Sequence, residues 1–315
     1  MDRPVFITGG TGFIGTSIIS ALAARGERPR VLSRDRARAE AALGDRAEIV
    51  EGDPTAPGPW EGAVRGCRGV INLAGAPMDG RRWNEAYRRR IRDSRVLATR
   101  ELVRAIGEAP DGERPGVLAS ASGIDYYPFS RPAEGADGAD GDGEVTEDTP
   151  AGDSFLASVC REWEAEALGA TEAGVRVAIM RTGVVLGPEG ALRKMKLPFK
   201  LFVGGRIGSG QQFFSWVHID DVVAAYLRAL DDDELSGPVN VVAPDLVRNR
   251  EFTSALGRAL GRPAWFPVPA PAVKAAVGEL GEYLVNGRPA VPRALEARGF
   301  SFAHPDLDTA LADLT

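Results

Sequence analysis

From Val5 the chain reads Val5-Phe6-Ile7-Thr8 and passes without a break into Gly9-Gly10-Thr11-Gly12-Phe13-Ile14-Gly15, then into a helix-length run from Thr16 to Arg25. A short apolar, β-branched segment, glycines at GxxGxxG spacing and an amphipathic run predict strand, tight turn and helix in that order. Parallel strands can be joined only by such crossovers, so one unit of this kind restricts the chain to layered α/β architectures. The rhythm repeats. A strand over Arg30 to Ser33 precedes an Ala/Arg-rich helix, and Ala47 to Val50 restores the strand signal, completing a βαβαβ half. Further buried-type strands are predicted at Gly69 to Leu73, Gly116 to Ala119 and Val175 to Met180, with helices over Trp83 to Ile106 and Asp153 to Thr171. The expected fold is therefore α/β, a Rossmann-type doubly wound parallel sheet over residues 1–182.

Beyond Gly183 the alternation fails, and Pro263, Pro267, Pro269, Pro271, Pro289 and Pro292 punctuate the last third. This predicts a smaller C-terminal α/β substrate lobe over 183–315, with some segments returning to the sheet. Residues 129–147 contain Gly135-Ala136-Asp137-Gly138-Ala139-Asp140-Gly141-Asp142-Gly143, too polar to bury, and read as a mobile acidic loop, either a surface insertion or a lid or partner site.

Composition narrows the function classes. The 315 residues are 44% hydrophobic and 26% charged, within the globular range. Only two cysteines occur, Cys67 and Cys160, which excludes a disulfide scaffold or a cysteine-built zinc site and points to a reducing, cytoplasmic setting. No apolar run reaches the 18 or so residues of a membrane span. With 38 basic and 44 acidic side chains the net charge is -6, so neither nucleic acid nor an anionic membrane is an expected partner, and a small-molecule substrate is. Nothing here indicates an oligomeric state.

Glycines between a strand and a helix let the backbone approach a pyrophosphate, while the helix N-terminus contributes free N–H groups and a positive dipole end. Gly9, Thr11, Gly12, Phe13, Ile14 and Gly15 are thus expected to hold a dinucleotide. An NAD site usually carries an acid at the end of the second strand, for the ribose 2′-hydroxyl. Here Ser33 and Arg34 stand in that place and suit a 2′-phosphate, while Asp35 is placed to cap the next helix. The expected cofactor is NADP(H).

These segments also carry a resemblance. The Thr8–Gly15 turn, Gly52-Asp53, and Asn72-Leu73-Ala74-Gly75 resemble the extended short-chain dehydrogenase/reductase superfamily. Ser94-Arg95, Ser120-Ala121-Ser122-Gly123, Tyr126-Tyr127, Phe155-Leu156 with Trp163-Glu164, Arg181-Thr182-Gly183-Val184-Val185-Leu186-Gly187, Gly208–Asp221 and the terminal Gly299-Phe300-Ser301-Phe302 with Pro305-Asp306-Leu307 are similar to its atypical branch of epimerase family proteins. The resemblance implies that Asp53 approaches the adenine, that Leu73, Ala74 and Gly75 line the nicotinamide side, and that Arg95 and Arg181 face the substrate.

Ordinary members of that superfamily work with a Tyr-x-x-x-Lys pair. Four residues beyond Tyr87, Tyr126, Tyr127, Tyr226 and Tyr283 lie Ile91, Ser130, Arg131, Leu230 and Gly287, so the pair does not exist in this chain. Phe155-Leu156-Ala157-Ser158-Val159 takes its place. The candidate catalytic groups are then Ser122, Tyr126 and Tyr127. Ser122 could equally be a turn hydroxyl, and the two tyrosines wall residues. His218 reads as a structural imidazole at a helix start, and with His304 far away in sequence no metal site is expected. The leading functional expectation is an NADP(H)-dependent oxidoreductase acting on a small carbonyl or alcohol. A nucleotide-sugar epimerase or dehydratase and a non-catalytic NADP(H)-binding redox sensor are the alternatives.

Overall fold

Val5 and Ile7 point to one side of the sheet and Phe6 to the other, all buried, because β1 (Val5–Thr8) is a central strand covered on both faces. In the computed structural model, which describes residues 3–78, 81–130 and 143–315, the chain continues through α1 (Phe13–Ala24), β2 (Arg30–Ser33), α2 (Arg36–Leu43) and β3 (Glu48–Glu51). It then crosses to β4 (Gly69–Asn72), α3 (Glu85–Gly107), β5 (Val117–Gly123), α4 (Phe155–Leu168) and β6 (Arg176–Thr182). A short pair follows, β7 (Val184–Leu186) and, after α5 (Ala191–Lys200), β8 (Trp216–His218). Next come α6 (Ile219–Asp231) and β9 (Gly237–Val241), then α7 (Asn249–Ala259), α8 (Ala270–Val277), α9 (Leu280–Val285), α10 (Arg293–Ala297) and α11 (Leu307–Leu314).

The seven-stranded sheet has the order β3-β2-β1-β4-β5-β6-β9, every neighbour parallel, as a Rossmann-type doubly wound sheet requires. Its order reverses between β1 and β4, the switch point at whose strand carboxyl ends sheets of this kind bind ligands. Ile18, Ile19 and Leu22 of α1 and Val222 and Tyr226 of α6 fill one face; Trp60, Leu102 and Ile106 fill the other. Burying each such side chain contributes about 1.5–3 kcal/mol. A third cluster, with Leu186, Phe199, Trp216, Phe252 and Leu311, joins the β7–β8 pair to α5, α7 and α11. Two segments beyond residue 182, α6 and β9, thus belong to the sheet layer.

Element ends shift from the predicted ones for local reasons. The helix expected from Trp83 begins at Glu85 because the Asn84 side chain accepts the Tyr87 N–H at 2.8 Å. That expected from Asp153 begins at Phe155, where Ser154 caps Ala157 N–H, and ends at Leu168. β5 runs on to Gly123 because β6 pairs with it along that length. Of the predicted mobile loop 129–147, residues 131–142 lie outside the described residues. Its flanks are tied down, a correction to the expectation: Ser130 bridges to Gly287, Val145 to Ala290, and the Glu147 carboxylate accepts the N–H groups of Asn240 and Ala294 at 3.0 Å each. Backbone donors in the C-terminal third hold these residues in place. Among the described residues no helix is long and apolar enough to cross a membrane.

Candidate active site

Gly9 adopts φ +69°, and a Cβ there would stand 2.5 Å from the Leu73 carbonyl oxygen; a Cβ on Gly15 would stand 2.6 Å from Gly10 Cα. Both glycines are demanded by backbone packing of the turn on the β4 end and on itself. Gly12 differs. It is the N-cap of α1 with φ -82°, and its Cβ would meet only the Gly9 carbonyl oxygen, at 3.3 Å. No side chain caps α1; the Gly12 N–H is given to the Gly9 carbonyl at 3.0 Å, and the N–H groups of Phe13 and Ile14 at the helix start are left without a cap. The opposite wall is held by a buried polar chain. Thr8 donates its hydroxyl to Asn72 Oδ1 at 2.7 Å and accepts the N–H groups of Leu73 and Ala74 at 3.2 Å each, and Asn72 Nδ2 donates to Thr99 and Ser120. Leu73, Ala74 and Gly75 are thereby fixed opposite the glycine turn.

At the β2 end, Asp35 accepts the Arg38 N–H at 2.9 Å and caps α2, as its place in the sequence indicates. Ser33 donates its hydroxyl to the Asp35 carbonyl at 3.0 Å. Arg34 is exposed, with no ion pair among the described residues. Asp53 accepts from the Thr55 N–H and hydroxyl at 2.9 and 2.7 Å; these bonds and the nearby Arg34 hold its carboxyl below the ordinary value against the opposing effect of burial.

The candidates at the β5 end part company. Ser122 donates its hydroxyl to Glu164 Oε1 at 2.6 Å, and Arg181 grips the same carboxylate through Nε and Nη2. The Arg181 Nη1 donates to the Tyr127 hydroxyl at 2.9 Å, which donates in turn to Asn240 Oδ1 at 2.7 Å. Tyr127 is fully buried, and burial pushes its phenol up to about 12. Two corrections follow. Tyr127 is a packed structural phenol with its bonds spoken for, and Arg181 is paired inside the protein, so neither is presented to a substrate. Tyr126 is partly exposed; its ring lies 3.6 Å from the Arg181 guanidinium carbon and edge-on to Tyr127, and its hydroxyl has no hydrogen-bond partner among the described residues.

Beside Tyr126 stands a carboxyl that the sequence does not single out. Asp125 accepts from Arg288 Nη1 at 3.0 Å; burial pushes its carboxyl up, with Arg288 and then Arg95 pulling it back. Arg288 is 4% exposed, donates Nε to the Tyr127 carbonyl at 2.8 Å, and its Nη2 is buried without a hydrogen bond. Arg95 packs on Gly75, 5.4 Å from the Trp163 ring, and donates to the Ile91 carbonyl, with no carboxylate in ion-pair contact among the described residues. Cys160, under the same strand end, is pushed up to about 12 by burial and is no nucleophile at neutral pH. Glu164 could have been found from the sequence: it recurs with Ala157, Cys160 and Ala167 on the buried face of one helix. Arg288, in a proline-broken stretch, carries no such signal.

The two histidines are not far apart. Their rings stack with centroids 3.7 Å apart, and Asp220 and Asp313 stand against them. His218 caps α6 through Nδ1, which accepts the Asp220 N–H at 3.2 Å, consistent with its predicted structural place. The expectation of no metal site rested on sequence separation, which the fold removes.

Residues 5–242 match the NAD dependent epimerase/dehydratase family, and residues 268–314 match a domain of unknown function, DUF1731. The chain is 39% identical over 310 residues to the epimerase family protein SDR39U1 homolog, chloroplastic, of Arabidopsis thaliana, covering 98% of this chain and 85% of that protein. It is 36% identical over 323 residues to Homo sapiens epimerase family protein SDR39U1, covering 98% and 99%. A crystal structure of that human protein (isoform 2) with NADPH matches with a TM-score of 0.84 at 34% identity, over 99% of each chain.

Proposed function

As the chain belongs to the NAD dependent epimerase/dehydratase family, we propose that it is an NADP(H)-dependent oxidoreductase of the atypical extended short-chain type, acting on a small carbonyl or alcohol compound. The observation that carries this reading is the uncapped start of α1 beside the pinned Leu73–Gly75 segment, against which Arg95 packs. The NADPH in the human relative's structure supports the cofactor.

The residues fit that cofactor. The N–H groups of the first turn of α1 would hold the pyrophosphate, Arg34 with Ser33 the 2′-phosphate, Asp53 the adenine side, and Leu73, Ala74 and Gly75 the nicotinamide side. When bound, NADP(H) supplies the hydride chemistry. Ser122 has its proton engaged by Glu164, and Tyr127 is closed off, so Tyr126 is the phenol left to donate or accept a proton at the substrate oxygen. Arg95 supplies positive charge beside Gly75, where it can orient an oxygen that gains charge during reduction. The unsatisfied Arg288 Nη2, and Arg95, which has no carboxylate in ion-pair contact among the described residues, favour a substrate with an acidic group, such as an oxo acid. Two buried free thiols fit a reducing compartment such as the cytoplasm.

The experiment is NADPH oxidation followed over a panel of oxo acids, aldehydes and ketones, with binding of NADPH measured in parallel. Turnover with any of them, lost in Tyr126→Phe, supports the reading. Tight NADPH binding without turnover, and a partner interaction that changes with NADP+ in its place, would replace it with the redox-sensor reading. That second reading is favoured by one observation, the missing Tyr-x-x-x-Lys pair.

A further inference from the structure

We propose that His218, His304 and Asp313, backed by Asp220, bind one first-row divalent transition-metal ion that fastens the C-terminal helix to the start of α6. Each of the four residues offers a ligand atom, and these atoms all lie within 4.8 Å of one another. They come from three places in the chain: the β8–α6 junction, the segment between α10 and α11, and the end of α11. Bonds of about 2.0–2.1 Å in tetrahedral geometry put ligand atoms roughly 3.4 Å apart. His218 Nε2 is 3.3 Å from Asp313 Oδ2, and His304 Nε2 is 3.8 Å from Asp220 Oδ2.

A second observation points to a ligand. His218 is 1% exposed, and its Nε2 has no hydrogen bond, the nearby Asp313 oxygen lying off the line that one requires. A buried ring nitrogen left unsatisfied next to a carboxylate is uncommon. The arrangement is also held from behind. The buried Asp221 carboxylate accepts the N–H groups of Ala303 and His304 at 2.7 and 3.1 Å, and Asp245 accepts the Leu307 N–H at 3.1 Å. The chain at His304 is therefore anchored by main-chain bonds, while the two rings, stacked with centroids 3.7 Å apart, must part for both to reach one tetrahedral ion. Asp220 and Asp313 are more than half exposed and leave an entry path from solvent.

Ligand chemistry selects the ion. Two imidazoles with a carboxylate suit Zn²⁺ or Co²⁺, whereas Mg²⁺ and Ca²⁺ favour all-oxygen sets. Coordination through His218 Nε2 moves the ring proton to Nδ1. The Asp220 carboxylate, 3.7 Å from Nδ1, then becomes its acceptor, and the cap that Nδ1 gives the Asp220 N–H is lost. A carboxylate behind a ligating imidazole is the usual partner of such a ring.

The test uses the full chain without a histidine tag, stripped with EDTA and titrated with Co²⁺, then with Zn²⁺ in competition. One equivalent of Co²⁺ should bind with the visible absorption of a tetrahedral site and be displaced by Zn²⁺. His304→Ala and Asp313→Asn should each weaken Zn²⁺ binding by tenfold or more, and Asp220→Asn by about 10- to 100-fold, the scale of losing an outer partner. Circular dichroism and NADPH affinity, unchanged in these partly exposed positions, keep loss of fold out of the result. Absence of saturable binding, an all-oxygen octahedral Co²⁺ spectrum, or affinity untouched by both His304→Ala and Asp313→Asn would overturn the site.

Discussion

Arg181 closes a two-point ion pair on Glu164, Nε to Oε1 at 2.9 Å and Nη2 to Oε2 at 2.8 Å, with both side chains buried between β6 and α4. Removing one member of such a pair strands the other charge and costs about 3–5 kcal/mol. Glu164→Gln is expected to lower the unfolding free energy by that order in urea titration. Replacing both residues together with apolar ones of similar volume should recover more than half of the loss. A single-variant loss under about 1 kcal/mol would mean that solvent screens the pair.

The neighbouring tyrosines should separate cleanly. Tyr126→Phe is expected to slow single-turnover reduction by about ten- to a thousandfold at unchanged stability. Tyr127→Phe leaves Asn240 and Arg181 short of a buried partner and should lose about 1–3 kcal/mol of stability. Reversed effects would move the reactive phenol to Tyr127.

The glycine turn makes a paired test. Gly12→Val should fold, since its backbone is ordinary and its Cβ asks the Gly9 carbonyl, 3.3 Å away, to give by only a few tenths of an ångström, yet lose NADPH binding in calorimetry. Gly15→Val meets Gly10 and Gly9 backbone at 2.6 Å and should lower the melting temperature as well. If Gly12→Val kept native affinity, the cofactor would have to bind away from α1.

The proposed role of Arg34 in cofactor choice is open to direct test. The native protein should bind NADPH more tightly than NADH, and Arg34→Ala should narrow that gap by weakening contact with the 2′-phosphate. Equal titration curves for the two cofactors in the native protein would exclude this role.

Alkaline stability follows from buried acids, Cys160 and Tyr127 among them, with Cys67, Tyr226 and Tyr283 also raised by burial. Burial pushes the Cys160 thiol and the Tyr127 phenol both up to about 12. Below about pH 7.5 both stay protonated whether the chain is folded or not, so neither alters stability there. As pH climbs further the unfolded chain releases protons that the folded chain keeps, and stability falls progressively toward about pH 12. The urea midpoint should be flat near neutrality and decline above about pH 9, less steeply in Cys160→Ala. A midpoint that rises with alkaline pH would contradict the burial of these groups.

Much of the scaffold is legible in the sequence because its signals are local. Val5–Thr8, the glycine turn and α1 are contiguous, and Asp35 caps a helix that begins one residue later. The Tyr-x-x-x-Lys pair can be excluded by inspection, since both members would sit one helical turn apart. Glu164 is within reach of periodicity; Asp125 and Arg288 are not, because 163 residues separate the two ends of that ion pair.

Sequence by itself determined the parallel α/β architecture and the glycine turn at the end of β1, features of short-range spacing and backbone sterics. Tertiary structure alone decided which polar side chains remain available. Ser122, Tyr127 and Arg181 look alike as candidates in one dimension, yet they neutralise one another around Glu164 and Asn240 once β5, β6, α4 and β9 are layered together. The same layering brings His304 to His218. Hydrogen bonding and ion pairing reach only a few ångströms, so the partner of a buried polar group is set by packing, and sequence distance carries no information about it.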